Sequence, residues 1–258
     1  MAHETINTHH AVKLFHDLMS STGDFRVLHL VGEAKMGKSH LLTKIFPALA
    51  QKQYQSMVVT LDLRNRLYGV PDILQMACTS IGTKDCPSYN KAYQEWMNWS
   101  MNRSKVELRG ISALFSFFHI SIQNNVHDDY DREHDLTSKL VDDVGRLSDN
   151  AFLLLVDSVN NADETIQSWL MDTFLVQLLR FSHVRVVIAS RSLHEAHGSY
   201  AALFRNYRLR PVTDDKEYID YCQRLNITLA EQSIRDFAYC CDYTPGTFAD
   251  LVLPKFGK

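Results

Sequence analysis

Gly32-Glu33-Ala34-Lys35-Met36-Gly37-Lys38-Ser39 fits the spacing G-x-x-x-x-G-K-[ST], and it stands between an apolar run and a helical register. The run is Arg26-Val27-Leu28-His29-Leu30-Val31, and the register is Leu41, Leu42, Ile45 and Phe46. Strand, turn and helix in that order let a backbone close round a phosphate. Glycines keep Cβ atoms out of the way, and successive N–H groups together with the helix N-terminus point at the anion. Those flanks argue against an ordinary surface turn. The candidate nucleotide contacts are therefore Gly32, Glu33, Ala34, Lys35, Met36, Gly37, Lys38, Ser39 and His40. Lys38 is placed to reach the β- and γ-phosphates, and the Ser39 hydroxyl is directed at Mg²⁺.

A Mg²⁺-nucleotide site needs an acid at the end of a neighbouring strand. Asp157 directly follows Phe152-Leu153-Leu154-Leu155-Val156, an unbroken apolar stretch of the kind a sheet buried on both faces requires. It is the candidate metal ligand, with Ser39. The next residue is Ser158, which cannot serve as a base at neutral pH, so hydrolysis is expected to be slow unless Asp163, Glu164 or a partner subunit supplies a carboxylate. A further β-branched run ends Ile188-Ala189-Ser190-Arg191. If that strand lies between the loop strand and the Asp157 strand, Arg191 emerges beside the γ-phosphate and can contact it bidentately. Lys38, Asp157 and Arg191 are thus the candidate catalytic residues.

The rest of the chain gives these residues a scaffold. Its 258 residues allow one to two domains, and 45% hydrophobic with 22% charged residues is a globular composition, which excludes collagen-like and wholly disordered chains. Ala11, Leu14, Phe15, Leu18 and Met19 mark an amphipathic helix that Ser20 to Asp24 ends. Pro47 is expected to kink or end the helix after the loop. Ser56 to Leu63 reads as a strand, Pro71 opens a helix over Ile73, Leu74, Ala77 and Ile81, and Ile166 to Leu178 is another helix before the strand Val184 to Ala189. Between them, Tyr93, Trp96 and Trp99 mark an aromatic helix, Phe117 to Ile122 reads as a strand, Asn124 to Asp135 as a solvated loop, and Leu136 to Leu147 as a helix. Beyond Tyr207 the one further strand is read at Arg208 to Val212. Two helices follow, with Asp214-Asp215 and Thr228 as their caps.

The alternation implies an α/β fold, a parallel sheet with helices on both faces, followed by a small C-terminal helical lid. The expected divisions are 1–24 (N-terminal helix), 25–206 (nucleotide-binding core) and 207–258 (lid). Net charge is −3, from 27 Lys+Arg and 30 Asp+Glu, so nucleic acid and anionic membrane are not favoured partners. No stretch is long and apolar enough to span a bilayer, and Met1 to His10 has no signal-peptide apolar region. Five cysteines without C-x-x-C spacing fit a reducing compartment. A cytoplasmic protein is expected.

In their order these segments resemble the STAND class of signal-transducing P-loop NTPases, the group that includes NACHT and NB-ARC proteins and is related to AAA+ ATPases. The resemblance rests on Gly32 to Ser39, the phrase Val58 to Arg64 running on to Ile81-Gly82, the Asp157 strand, the Ser190-Arg191 strand end and the turn Tyr243-Thr244-Pro245-Gly246. It implies a P-loop NTPase core that binds ATP or ADP with Mg²⁺, and a helical lid that closes over the nucleotide. It also implies an output through oligomerisation or through protein partners, effector or sensor subunits or domains, commonly in defence signalling. Departures are Ser158 in place of a second acid, Pro245-Gly246-Thr247 where Gly-x-Pro is usual, and no Gly-Arg base motif, for which Ile6-Asn7-Thr8 is a poor stand-in.

Two readings stand against a slow ATP-dependent switch: an AAA+ ATPase working on DNA, and a non-hydrolysing scaffold. The first needs a water-activating acid and a basic strip; the second needs neither binding nor turnover. His194-Glu195-Ala196-His197 lacks H-E-x-x-H spacing and a third ligand, and the acids from Asp128 to Asp135 lack the rhythm of a calcium loop. Trp96, Trp99, Phe115, Phe117 and Phe118 read as core aromatics.

Overall fold

The computed structural model describes residue 6 and residues 9–20, 24–66, 68–110, 118–147, 151–193 and 198–256. Five strands form one parallel sheet: β1 (Val27–Val31), β2 (Met57–Asp62), β3 (Phe152–Asp157), β4 (Val184–Ser190) and β5 (Phe204–Arg208), in the order β2-β3-β4-β1-β5. The strand that carries Asp157 and the strand that carries the glycine loop are thus separated by β4. Arg191, which follows β4, leaves the sheet between them.

Strand residues alternate between the sheet's faces, and each face has its own core. Val59, Leu61, Leu154, Val156, Val186 and Ile188 pack on one side, with α3 (Val70–Ile81), α4 (Pro87–Gly110), α5 (Phe118–Arg146) and α6. Helix α6 runs as Glu164–Ser168, a π-helical Trp169–Phe174, and Leu175–Leu178. Leu28, Leu30, Leu153, Leu155, Val187 and Ala189 pack on the other side, with α1 (His9–Met19) and α2. The two are pinned by Phe15 stacked on Phe46, ring centroids 4.3 Å apart. Burial on both faces is why β3 reads as an unbroken apolar run up to Asp157 and β1 as one interrupted only by the buried His29.

Helix α2 runs as Lys38–His40, a π-helical Leu41–Ile45 and Phe46–Tyr54. It passes through Pro47 instead of ending there. The wider π turn precedes a new α-helical stretch, and Pro47 stands in its first turn, where a missing N–H costs least.

Other expectations change as well. Residues 118–122 and the polar run Asn124 to Asp135 belong to α5 and are neither strand nor loop. The last strand is β5, Phe204–Arg208, not Arg208 to Val212. Three helices follow it instead of two: α7 (Asp215–Arg224), α8 (Glu231–Cys240) and α9 (Pro245–Phe256). Asp214 caps α7, its Oδ1 accepting the Lys216 N–H at 3.0 Å, whereas Ala230 and not Thr228 stands at the N-cap of α8. These helices share a third core, in which Tyr218, Cys222, Ile234, Phe248 and Val252 are buried, and Ile6 packs with them. All five cysteines are free thiols. Phe115, Phe117 and His194 to His197 lie outside the described residues, while Trp96 packs at the margin of the first core. No described helix is long and apolar enough to cross a membrane.

Candidate functional site

Parallel pairing aligns the strand ends: Val31 is opposite Ser190, and Asp62 is opposite Asp157. The loop leaves β1 at Gly32, whose N–H donates to the Ser190 carbonyl at 3.2 Å. A Cβ on Gly32 would stand 3.1 Å from the Leu209 carbonyl oxygen, so the chain after β5 closes this end of the loop. Gly37 has φ 89° and ψ 3°, a left-handed conformation that favours glycine, and its carbonyl accepts the Leu41 N–H at 3.0 Å to start α2. The spacing in the sequence is therefore met by the backbone it calls for.

Lys38 Nζ donates to the carbonyls of Gly32 at 2.5 Å and Glu33 at 2.7 Å, which holds the ammonium at the mouth of the loop. Burial pushes the Lys38 pKa down; Asp157 raises it, Arg191 lowers it further and Glu33 raises it, and the net direction is down.

Ala34, Lys35, Gly37, Lys38, Ser39 and His40 line one open cavity of about 310 Å³. Asp157 and Arg191 line the same cavity, so most of the predicted site residues are brought together. Three are not: Gly32 faces Leu209, the Glu33 side chain is exposed, and buried Met36 lines a neighbouring 420 Å³ cavity with Tyr207 to Val212. Asp157 is 2% exposed, and its Oδ2 is buried without a hydrogen-bond partner. A buried carboxylate oxygen left in that state is costly, and a cation or its bound water would satisfy it. Ser39 lines the same cavity, so the donor set is all oxygen and suits Mg²⁺. Beyond this pair, no group of three or more His, Cys, Asp or Glu with metal-binding placement occurs among the described residues.

After Asp157 the chain turns sharply, with Ser158 at φ 62°, into a 3₁₀ turn over Val159–Asn161. Asn160 and Asn161 line the cavity. Asn160 Oδ1 accepts the Arg191 N–H at 3.0 Å, tying the end of β4 to the turn after β3. Neither Asp163 nor Glu164 reaches this space: Asp163 Oδ1 caps α6 by accepting the Ile166 N–H at 2.8 Å, and Glu164 is exposed. Behind Arg191, Ser190 Oγ donates to the Ser192 carbonyl, so His29 Nε2, 2.7 Å from Ser190 Oγ, is the donor to that hydroxyl.

The C-terminal helices touch the loop directly. Gly246, at the start of α9, donates its N–H to the Lys35 carbonyl at 2.7 Å, and Lys35 Nζ pairs with Asp250 Oδ2 at 2.9 Å. A further cavity of about 430 Å³ adjoins at Gly37, His40 and Gly246. Its other walls are Asp250 and the mainly apolar set Ile6, Tyr221, Leu225, Pro245, Ala249 and Leu253, drawn from the N-terminal segment and the C-terminal helices. Ile6, Arg64, Asn160, Asn161 and Asp250 all border the site without any motif to announce them.

The sheet order, the loop between β1 and α2 and the acid at the end of β3 define an α/β P-loop fold, and solved structures at 11–13% identity and TM-scores of 0.50 and 0.51 share it. Cdc6p of Pyrobaculum aerophilum is similar at TM-score 0.51 and 13% identity over 89% of this chain and 54% of that one. The HORMA:CdnC:Trip13 complex of Escherichia coli MS115-1 contains a chain similar at TM-score 0.50 and 11% identity, over 96% of this chain and 80% of that one. The Walker-type ATPase PABY2304 of Pyrococcus abyssi aligns at TM-score 0.48 and 13% identity, over 92% of this chain. The chain spans 65% of the length of PABY2304 and 54% of that of Cdc6p. No protein-family model matches the sequence, and no curated protein matches it.

Proposed function

We propose that this chain is a Mg²⁺–ATP-binding switch of the STAND type that hydrolyses ATP slowly and controls oligomerisation or a protein partner through its lid. One observation carries the reading: the loop, Asp157, Arg191 and the lid residues Gly246 and Asp250 all border one cavity. In this reading the loop amides and Lys38 hold the phosphates, Ser39 and Asp157 hold the metal, and Arg191 reads the γ-phosphate. Mg²⁺, when bound, neutralises phosphate charge. The apolar walls at Ile6, Tyr221, Leu225 and Pro245 take the base. Residues 207–258 act as the moving lid, because the Gly246 and Asp250 contacts join it to the loop that senses the ligand.

Slow turnover follows from the amides. Around Asp157 the cavity presents Ser158, Asn160 and Asn161, none of which takes up a proton at neutral pH; the other lining acid, Asp250, is engaged with Lys35, and the remaining proton acceptor, His40, stands on the loop side of the cavity, not in the turn after Asp157. The preference for a partner output follows from the lid. A ligand shifts an equilibrium only by its differential affinity for two conformations, and a lid seated on the phosphate loop provides one. Light scattering in ATP and in ADP, beside a turnover assay, tests the proposal. A change in mass between the two nucleotides with slow turnover supports it; identical mass and fast turnover contradict it.

A second reading, an ATPase acting on DNA, is favoured by Arg205, Arg208 and Arg210, all exposed along β5 and the segment after it. It requires DNA binding that ATP stimulates and salt suppresses.

A further inference from the structure

Arg64 follows β2, lines the 310 Å³ cavity and belongs to none of the elements assigned above. Strands β2, β3 and β4 are consecutive in the sheet, so Arg64, Asp157 and Arg191 leave its edge side by side, a cation on each flank of the acid. Asp62 is opposite Asp157 in the ladder, and the Leu63 N–H donates to the Asp157 carbonyl at 3.1 Å, which fixes the place of this turn. The Arg64 guanidinium is forked on Asp62: Nε donates to Oδ1 at 3.0 Å and Oδ2 at 2.7 Å, and Nη2 also donates to Oδ2. The Arg64 N–H donates to Asp62 Oδ1 at 3.0 Å.

A guanidinium fork suits a carboxylate and a phosphate equally well. The pair is also accessible, with the Arg64 side chain 66% exposed, so exchange of one anion for the other requires no unpacking. Burial alone would raise the Asp62 carboxyl, but hydrogen bonds and charge from Arg64 outweigh it and hold it below the ordinary carboxylate range. Asp62 therefore stays an anion at neutral pH and competes for the guanidinium. Of the other lining cations, Lys38 stands in the glycine loop and Lys35 on its lip beside Asp250, whereas the two arginines stand at the strand ends on either side of Asp157, placed to meet the end of a phosphate chain from opposite sides.

We propose that Arg64 is an ATP-selective contact: it exchanges Asp62 for the terminal phosphate of a nucleoside triphosphate and stays on Asp62 when the ligand is a diphosphate. This rests on the nucleotide-switch reading and adds to it the residue that discriminates the two ligands. No bond is made or broken; one charge-assisted hydrogen-bonded pair replaces another.

Affinities for ATP and for ADP, each with Mg²⁺, measured on wild type, Arg64→Ala, Arg64→Lys and Asp62→Asn test it. Arg64→Ala should lose about ten- to a hundredfold in ATP affinity, the span of a charge-assisted hydrogen bond, with ADP affinity unchanged. Arg64→Lys, keeping the charge without the fork, should fall between. Asp62→Asn should bind ATP more tightly than wild type, because it removes the competitor; a merely structural pair would give equal losses for both nucleotides or none. Wild type binding both ligands while Arg64→Ala leaves their ratio unchanged would overturn the role of Arg64 and spare the site. Failure of wild type to bind either ligand would overturn the site itself and this proposal with it.

Discussion

Lys38 combines a charge the site needs with a burial that opposes it. Burial lowers its pKa, so the ammonium loses its proton at a lower pH than an exposed lysine would. A bound polyphosphate favours the charged form, and binding should therefore be accompanied by proton uptake as the solution approaches that lowered value. The sign follows: ATP affinity is greatest below the lowered pKa of Lys38 and decays as pH rises through it, earlier than an ordinary lysine titration would predict. Lys38→Arg should bind more weakly at neutral pH for lack of fit but lose the alkaline decay, since a guanidinium stays charged. Titrations across neutral to alkaline pH check this, and an identical decay in Lys38→Arg would refute it. Gly32 to Ser39 could be read from the sequence because main-chain geometry dictates their identities locally. Arg64 and Ile6 could not: one sits after a strand and the other in a polar tail, and only the strand order and the folded lid bring them to the cavity.

Among the elements, the strands buried on both faces were plain in the sequence, because an apolar run has few other uses in a chain of this composition. The edge strand β5 was not. Phe-Arg-Asn-Tyr-Arg pairs with β1 at the sheet edge, where only Phe204 and Tyr207 are partly buried, and two such residues among three exposed polar ones leave a weak hydrophobic signature. Helix α5 was hidden for a related reason. Its start, Phe118 to Ile122, is apolar enough to read as strand and the run Asn124 to Asp135 polar enough to read as loop, while the apolar stripe Leu136, Leu140, Val141 and Val144 marks only its second half. Helix α9 carries the sharpest test at this scale. A Cβ on Gly246 would lie 2.5 Å from the Lys35 carbonyl oxygen, a backbone atom that cannot step aside. Gly246→Ala should unseat the start of α9 at a cost of about 1–3 kcal/mol, the usual range for overpacking. Hydrogen exchange at the amides of α9 should accelerate while those of the sheet stay protected; unchanged exchange would mean that the lid contact is not what holds α9.

For the molecule as a whole, three cores divide the work. Two clamp the sheet so that its strand ends hold Gly32, Asp157 and Arg191 in one place, and the third keeps the lid helices together with Ile6. The loop at the end of β1 and the C-terminal helices are joined by the contacts of Gly246 with Lys35 and of Lys35 with Asp250, and in the proposed switch these couple phosphate binding to the position of the helices. Both are near the surface, where an exposed ion pair contributes about 0–1 kcal/mol, so a ligand can tip the balance without unfolding either part. Calorimetric titration of the intact chain with Mg²⁺–ATP, repeated with Lys38→Ala, is the most direct measurement. Saturable binding at one site per chain, weakened roughly tenfold or more in the variant, is the expected result. Equal binding by the two proteins, or no heat from either, would contradict the assignment of this loop as the nucleotide site.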